Sequence, residues 1–148
     1  MTTIRAATAA DVDVIVAMGL RFQATTTYAA HLRATEPTLR ALALQLLAHE
    51  GSVIFLAETD GQVVGMIAAS CYVQPMSGEL IGSEICWWMD PAARGGRTAL
   101  RLLRTAEQWA ADRGAAIFQM MAPTPEVGAL YERLAYAPIE THYMRRLT

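Results

Sequence analysis

Apolar positions follow two spacings along the chain, and these spacings predict strands and helices. Short apolar runs, or alternation with a period of two residues, predict strands at 2–7, 52–58, 62–73, 83–89, 115–121 and 139–147. Apolar positions at helical spacing predict helices at 8–20, 37–51, 94–113 and 124–134. The segment 115–121 is apolar enough to predict a strand that is buried on both faces.

Turn and capping residues set the limits of these elements. Asp60-Gly61 is a strong two-residue turn signal, and it predicts that the second and third strands form a hairpin. Thr8 and Asp11 have the spacing of a capping box, and Thr124-Pro125 opens the last helix. Asp90-Pro91 ends the fourth strand, because proline cannot donate to a strand ladder.

The order of elements is strand, two helices, three strands, helix, strand, helix and strand, which predicts an α+β fold. The three consecutive strands are antiparallel. The strands at 83–89 and 115–121 are joined through a helix, so they run parallel and form a right-handed crossover unit. The predicted sheet is therefore mixed and mostly antiparallel, and 148 residues suit a single domain over residues 1–148.

Residues 94–99, Arg-Gly-Gly-Arg-Thr-Ala, connect the fourth strand to an amphipathic helix and imply a ligand. The N–H groups of a first helical turn lack partners within the helix, and Gly95 and Gly96 have no side chains to keep an anion away. A pyrophosphate fits such a turn. A Walker loop is excluded because the chain has no lysine, and a dinucleotide fingerprint because the glycine spacing and the place in the chain do not fit.

The same segment resembles the acetyl-CoA loop of the GNAT N-acetyltransferases, whose signature is Arg/Gln-x-x-Gly-x-Gly/Ala. Pro91 before it and Leu102-Leu103 after it stand where members of that family usually carry them. Arg97 takes the place of a glycine, and its guanidinium could compensate by pairing with a phosphate. The Arg-Gly-Gly-Arg variant is similar to a subgroup met in phage and prophage genomes.

This resemblance covers nearly the whole chain and implies the GNAT fold, with helices flanking the sheet and the parallel strand pair splayed apart. It implies acetyl-CoA as cosubstrate, with its pantetheine arm in the gap between the splayed strands. The residues that the resemblance assigns to cofactor binding are Trp87, Trp88, Met89, Arg94, Gly95, Gly96, Arg97, Thr98, Ala99 and Arg101. A solvated arginine stripe is the alternative for Arg97 and Arg101.

Acetyl transfer to an amine needs a base, since an alkylamine with a pKa of about 10.4 is protonated at pH 7 in all but roughly one molecule in 2,500. Glu84 is the candidate. It lies in an otherwise apolar strand, where alternation places it on the face of Cys86 and Trp88, and its position resembles that of the strand glutamate in the family's histone-modifying members. A carboxylate there should have a partner or a raised pKa. An edge glutamate facing solvent and deprotonation through a water chain are the alternatives.

Residues 129–136, Ala-Leu-Tyr-Glu-Arg-Leu-Ala-Tyr, resemble the family's Phe/Leu-Tyr-Glu-Lys-Leu-Gly-Phe segment. The resemblance implies that the hydroxyl of Tyr131 faces the CoA sulfur and donates to it. A core aromatic is the alternative, because helical spacing from Val127 places Tyr131 on an apolar stripe, where its hydroxyl would still need a partner. Ala135 and Tyr136 replace the usual glycine and phenylalanine.

Composition and charge argue against several classes of function. No apolar run approaches the ~20 residues of a membrane span and no signal pattern opens the chain, so we expect a cytoplasmic protein without membrane contact. The net charge of −2 argues against nucleic-acid binding. Cys71 and Cys86 are expected to be inert buried thiols, and the three histidines are too dispersed for a metal site, so we predict no metal.

We therefore expect an acetyl-CoA-dependent N-acetyltransferase that moves an acetyl group to a primary amine by direct attack. The acceptor, a small amine or a protein amine, cannot be read from the sequence. The alternative is a catalytically inactive acyl-CoA-binding or protein-interaction module on the same fold, motivated by Arg97. The segment 135–148 has room for little more than one strand, which leaves open whether homodimerisation closes that edge of the sheet.

Overall fold

A computed structural model describes residues 1–148 and contains five strands and four α-helices. Single turns of 3-10 helix at Ala9–Asp11, Thr27–Ala30 and Pro91–Ala93 connect some of them. The regular elements in chain order are β1 (Thr2–Ala6), α1 (Val12–Ala24), α2 (Glu36–Ala48), β2 (Ser52–Thr59), β3 (Gln62–Val73), β4 (Leu80–Met89), α3 (Arg97–Asp112), β5 (Ile117–Gln119) and α4 (Pro125–Arg133). No helix is both long and apolar enough to cross a membrane.

The five strands form one sheet in the order β1-β2-β3-β4-β5. The first four strands are antiparallel to their neighbours, and β4 and β5 are parallel. The prediction of a mixed, mostly antiparallel sheet with one parallel pair is confirmed. The parallel pair is short, because only Ile81, Gly82 and Ser83 of β4 find partners on β5. From Glu84 to its end, β4 has no strand on that side.

Helices cover both faces of the sheet and create two apolar cores. On one face, α1 and α2 pack on the strands through side chains that include Ile15, Met18 and Leu46, all less than 9% exposed. On the other face, Leu102 and Leu103 of α3 pack against the sheet. Burial of these stripes, rather than the intrinsic preference of each segment, holds the helices on the sheet.

The predicted turn and cap signals have the expected geometry. Asp60 and Gly61 both have positive φ, 50° and 78°, as the tight turn of the β2–β3 hairpin requires. Thr8 and Asp11 form a reciprocal capping box before α1. Thr124 caps α4 by accepting a hydrogen bond from the backbone N–H of Val127.

The end of the chain differs from the prediction. The strand predicted at 115–121 is only the three residues of β5, and Ile117 is 55% exposed rather than buried. The strand predicted at 139–147 is wrong: residues 137–148 form no backbone hydrogen bond and are exposed. A sixth strand would need a long free edge to pair with, and β5 offers three residues. Instead, Arg146 donates to the carbonyl oxygen of His31.

Candidate functional site

The site begins where β4 and β5 separate. The last paired residues are Ser83 and Gln119, and Glu84 is the next residue of β4. A bulge lies at this point, since Ala68 of β3 pairs with Cys86 while its neighbour Ala69 pairs with Glu84. The extra residue lets β4 turn away from β5.

The bulge also changes the direction of Glu84. Cross-strand partners point to one face of a sheet, whereas consecutive residues point to opposite faces. Ala68 and Ala69 are consecutive, so Cys86 and Glu84 lie on opposite faces. The prediction that Glu84 shares a face with Cys86 and Trp88 is wrong, because simple alternation cannot account for an extra residue. Glu84 instead shares the face of Trp87.

The carboxyl group of Glu84 is almost fully removed from solvent, with 3% of the residue exposed. Its Oε2 accepts a hydrogen bond of 3.2 Å from the backbone N–H of Met121, just beyond β5. Burial raises the pKa of Glu84 to about 7, while the Met121 N–H acts in the opposite direction. The alternative that Glu84 is an edge residue facing solvent is therefore ruled out. The group is poised to exchange a proton near neutral pH.

Tyr131 of α4 reaches the backbone of the same residue, Met121. Its hydroxyl donates to the carbonyl oxygen of Met121 at 3.3 Å, and the residue is 7% exposed. Burial and the nearby Glu84 both raise the pKa of Tyr131, so the hydroxyl keeps its proton. The structure thus brings the two predicted catalytic residues together on the backbone of Met121, whose N–H and C=O, in two consecutive peptide groups, serve one residue each.

An aromatic cluster holds Tyr131 in place. The ring of Trp87 stacks on Tyr131 with a centroid distance of 6.1 Å, and the ring of Tyr136 lies 5.9 Å away on another side. The hydroxyl of Tyr136 donates to Oε1 of Glu107 on α3 at 2.5 Å. Tyr136, which stands where the family usually has phenylalanine, therefore ties the end of α4 to α3.

The glycine turn has the geometry of an anion-binding loop. The predicted helix begins at Arg97 rather than Arg94, because Gly95 has φ of +84° and Gly96 is extended with φ of −98° and ψ of −178°. No backbone N–H from Gly95 to Ala99 donates a hydrogen bond within the chain. A Cβ built on Gly95 or Gly96 meets no atom within 4 Å, so the space before these amides is open. These amides are available to an anion.

The strand end before the turn is firmly anchored. Oδ1 of Asp90 accepts hydrogen bonds from Nε1 of Trp88 and from Nη2 of Arg21 on α1, both at 3.0 Å. Nε of Arg94 donates to the carbonyl oxygen of Met89 at 3.0 Å, and its guanidinium lies 4.8 Å from the centroid of the Trp88 ring. Arg94 is therefore folded back on β4, where it fixes the start of the turn.

The arginines that follow the turn are in different places. Arg97 is the first residue of α3 and is exposed. One turn later, Nη1 of Arg101 donates to the carbonyl oxygen of Thr2 on β1 at 3.1 Å. The structure brings Arg97, Thr98 and Ala99 to the helix N-terminus, and it directs Arg101 toward β1.

Sequence reasoning missed four participants: Met121, Tyr136, Glu107 and Asp90. The backbone of Met121 carries no signal in the sequence, because its role depends on where β5 stops. The partnership of Tyr136 with Glu107 joins residues 29 apart in the chain, and only the packing of α4 on α3 reveals it. The Asp90-Pro91 pair predicts only the end of a strand, but the two tryptophans just before Asp90 are the signal that points to its role, because an indole N–H needs an acceptor.

Solved structures with the same fold include several acetyltransferases. A predicted acetyltransferase with acetyl-CoA from Clostridium acetobutylicum is 17% identical with a TM-score of 0.82, covering 99% of this chain and 97% of the other. The ribosomal-protein-alanine N-acetyltransferase from Brucella melitensis is 20% identical with a TM-score of 0.75, covering 98% and 99%. An aminoglycoside 6'-N-acetyltransferase from Acinetobacter haemolyticus is 22% identical with a TM-score of 0.76, covering 99% of each chain.

Comparison of the amino-acid sequence with known sequences and families gives two results. No curated protein sequence matches the chain. The sequence profile of the acetyltransferase (GNAT) family matches residues 20–136, which include the β4 bulge, the glycine turn and α4 with Tyr131. This match spans most of the chain and agrees with the mixed sheet and its single parallel pair. The chain therefore belongs to the acetyltransferase (GNAT) family.

Proposed function

We propose that the chain, as one domain, transfers an acetyl group from acetyl-CoA to a primary amine by direct attack of the amine nitrogen. The observation that carries this proposal is the placement of Glu84. It is a buried carboxyl with a pKa of about 7, located where the parallel strands separate, and it shares the backbone of Met121 with a protonated tyrosine. A base and an acid are the two groups that acetyl transfer between an amine and a thiolate needs.

The residues present fit acetyl-CoA, which supplies an activated acetyl thioester. The unpaired amides from Gly95 to Ala99 suit a pyrophosphate, and the open space before Gly96 leaves room for it. Arg97 adds an exposed guanidinium at the same helix end, which supports a phosphate contact. Arg101 has one guanidinium nitrogen on Thr2, so a phosphate contact there would use its remaining donors.

Each catalytic residue has a task that its surroundings support. Oε1 of Glu84 has no partner within the protein and takes the proton that the amine must lose, while Met121 holds Oε2. The hydroxyl of Tyr131 leaves the Met121 carbonyl and donates to the departing sulfur. Glu84 takes the first proton from the ammonium group before the attack and later releases it to solvent. As the new C–N bond forms and the C–S bond breaks, Tyr131 gives its proton to the sulfur and is reprotonated by the second proton that the nitrogen loses, so the reaction releases one proton in all.

The acceptor is the open part of this proposal. Both a small amine and a protein amine remain candidates, and the fold neighbours include an aminoglycoside acetyltransferase and a ribosomal-protein-alanine acetyltransferase. Thiol release from acetyl-CoA, measured across aminoglycosides, polyamines and N-terminal peptides, tests activity and acceptor together. If acetyl-CoA binds but no amine causes thiol release, the alternative of an inactive acyl-CoA-binding module is favoured. That alternative is motivated by Arg97, which stands in place of a glycine. The phage-like grouping, a cytoplasmic location and a homodimer remain predictions.

Replacing Gly96 with valine should abolish CoA binding while leaving the free protein folded. The extended backbone of Gly96 suits a β-branched residue, and its Cβ meets no protein atom within 4 Å. The free protein should lose at most about 1 kcal/mol, because valine caps a helix less well than glycine. The wild type should gain about 2.7 kcal/mol at 100 times its Kd for CoA, and the variant should gain nothing.

Thermal unfolding with and without CoA measures this difference. Ala92→Val, at an exposed site before the turn, is the matched control and should keep the full CoA effect. A wild type whose Tm does not rise in millimolar CoA would contradict the proposed function at its first step. A Gly96→Val variant that binds CoA normally would contradict the assignment of the turn.

A further inference from the structure

One side-chain polar atom that is fully shielded from solvent has no hydrogen-bond partner, and it belongs to Trp87. Among the side-chain nitrogen and oxygen atoms of residues 1–148 that solvent does not reach, Nε1 of Trp87 alone is unpaired. The neighbouring Trp88 differs, because its Nε1 donates to Asp90. Buried donors almost always have partners, and one that lacks a partner in the free protein calls for a specific explanation.

Trp87 lies between the glycine turn and Glu84. It pairs with Ile67 of β3, on the face of the sheet to which the bulge turns Glu84, and β4 has no strand on its β5 side at this level. Its ring stacks on Tyr131. The side chain of Trp87 therefore lies beside the proposed acid, on the part of β4 that has no strand on its β5 side.

The chemistry of an indole restricts what can bind there. Nε1–H is a donor only, so its partner must be an acceptor. Trp87 packs against the apolar core that contains Met89, its ring stacks on Tyr131, and no group of the protein accepts a hydrogen bond from its Nε1. A carbonyl oxygen on an otherwise apolar arm fits this environment, since it accepts a hydrogen bond without bringing a charge into the site.

We propose that Nε1–H of Trp87 donates a hydrogen bond to a carbonyl oxygen of the acyl-pantetheine arm. This inference rests on the proposed function, and it assigns a specific role to the side chain of Trp87. The carbonyl belongs either to the thioester or to an amide of the pantetheine. The side chain thus selects ligands that place an acceptor at this point of the gap, and it becomes fully paired only in the complex.

Indole NMR resonances test the hydrogen bond directly. The chain has three tryptophans, so a 15N-labelled sample gives three indole N–H signals, each assigned by its Trp→Phe variant. On titration with CoA or acetyl-CoA, the Trp87 indole proton should move downfield and exchange more slowly with water. Trp109 on α3, whose ring faces Arg113, should not move.

Two results of this titration separate the inference from the proposed function. An unmoved Trp87 indole signal, with shifted backbone amides from Gly95 to Ala99, would overturn the inference and leave CoA binding intact. If neither the indole nor the amides respond to millimolar ligand, the proposed function fails as well, and the inference falls with it.

Calorimetry then identifies the carbonyl. Trp87→Phe removes a donor without a protein partner, so the free protein should keep its Tm, and ligand affinity should fall about 3- to 10-fold, the usual value of one neutral hydrogen bond. An equal loss for CoA and acetyl-CoA would assign the pantetheine amide, whereas a loss confined to acetyl-CoA would assign the thioester. Unchanged affinity for both ligands would overturn the inference. Trp109→Phe, which removes an indole N–H on α3 outside the gap, is the control and should leave the affinity for both ligands unchanged.

Discussion

Replacing Glu84 with glutamine should remove most of the activity and, above pH 7, make the protein more stable. Glutamine keeps the shape and can still accept from the Met121 N–H, but it cannot take a proton from the amine. Loss of a general base costs roughly 10²- to 10⁴-fold in kcat/KM. In the wild type, kcat/KM should rise with pH through about 7 as Glu84 loses its proton, and this limb should be absent from any residual activity of the variant.

The stability effect follows from the same raised pKa. The carboxyl has its ordinary value of 4.5 in the unfolded chain and about 7 in the folded protein, so the folded state binds more protons between these values. Wild-type stability is therefore fully present below pH 4.5 and falls as the pH rises through 7. The difference between these two pKa values corresponds to about 3 kcal/mol of folding stability. The Glu84→Gln variant should therefore be more stable than the wild type by about this amount at pH 8 and should lose the advantage at pH 4.

Denaturant unfolding at pH 4 and pH 8 measures this effect, with Glu132→Gln as the matched control, since Glu132 is exposed on α4. The control should change neither activity nor the pH dependence of stability. A Glu84→Gln variant that loses activity and stability in parallel at pH 8 would show that Glu84 supports the fold rather than the reaction.

Tyr131→Phe should lower kcat roughly 10²- to 10⁴-fold while CoA affinity and stability change little. The substitution keeps the ring packed against Trp87 and Tyr136 and removes only a hydroxyl whose single hydrogen bond is long, 3.3 Å. An acyl donor whose thiol has a lower pKa needs less help to depart, so it should partly restore the rate of the variant. The measurement is kcat in a chemistry-limited assay with two acyl donors.

The control for this variant is Tyr72→Phe. Tyr72 is 42% exposed, and its hydroxyl accepts from Gln119, so the loss of a tyrosine hydroxyl is matched outside the gap. Wild-type kcat in Tyr131→Phe would make Tyr131 a core aromatic. A loss of the same size with both acyl donors would argue against a role at the leaving group.

Most of the fold followed from local signals. The Asp60-Gly61 turn, the Thr8 and Thr124 caps and the apolar stripes act over a few residues, so the sequence predicts them directly. The strand predicted at 139–147 is wrong for the converse reason. Alternation at 139–147 is a local strand signal, but a strand also needs a free edge, and the length of β5 is decided by packing elsewhere in the chain.

The candidate site was likewise predictable only in part. The glycine turn was predicted because a strand, two glycines and an amphipathic helix are adjacent in sequence. The direction of the Glu84 side chain was not predicted, because a bulge shifts the alternation of faces by one residue. The bulge depends on how β3 pairs with β4. Residue type identified Glu84 and Tyr131, but their common contact with the backbone of Met121 is tertiary.

The contacts with Met121 couple Glu84 and Tyr131 energetically. The N–H and C=O of Met121 lie on either side of one Cα, which keeps the two side chains close together, and a negative charge on Glu84 raises the pKa of Tyr131. Once Glu84 takes up a proton, this effect is lost and the tyrosine hydroxyl becomes a better donor. In a double-mutant cycle on kcat, the losses of Glu84→Gln and Tyr131→Phe should therefore sum to more than the loss of the double variant, and strict additivity would show two independent groups.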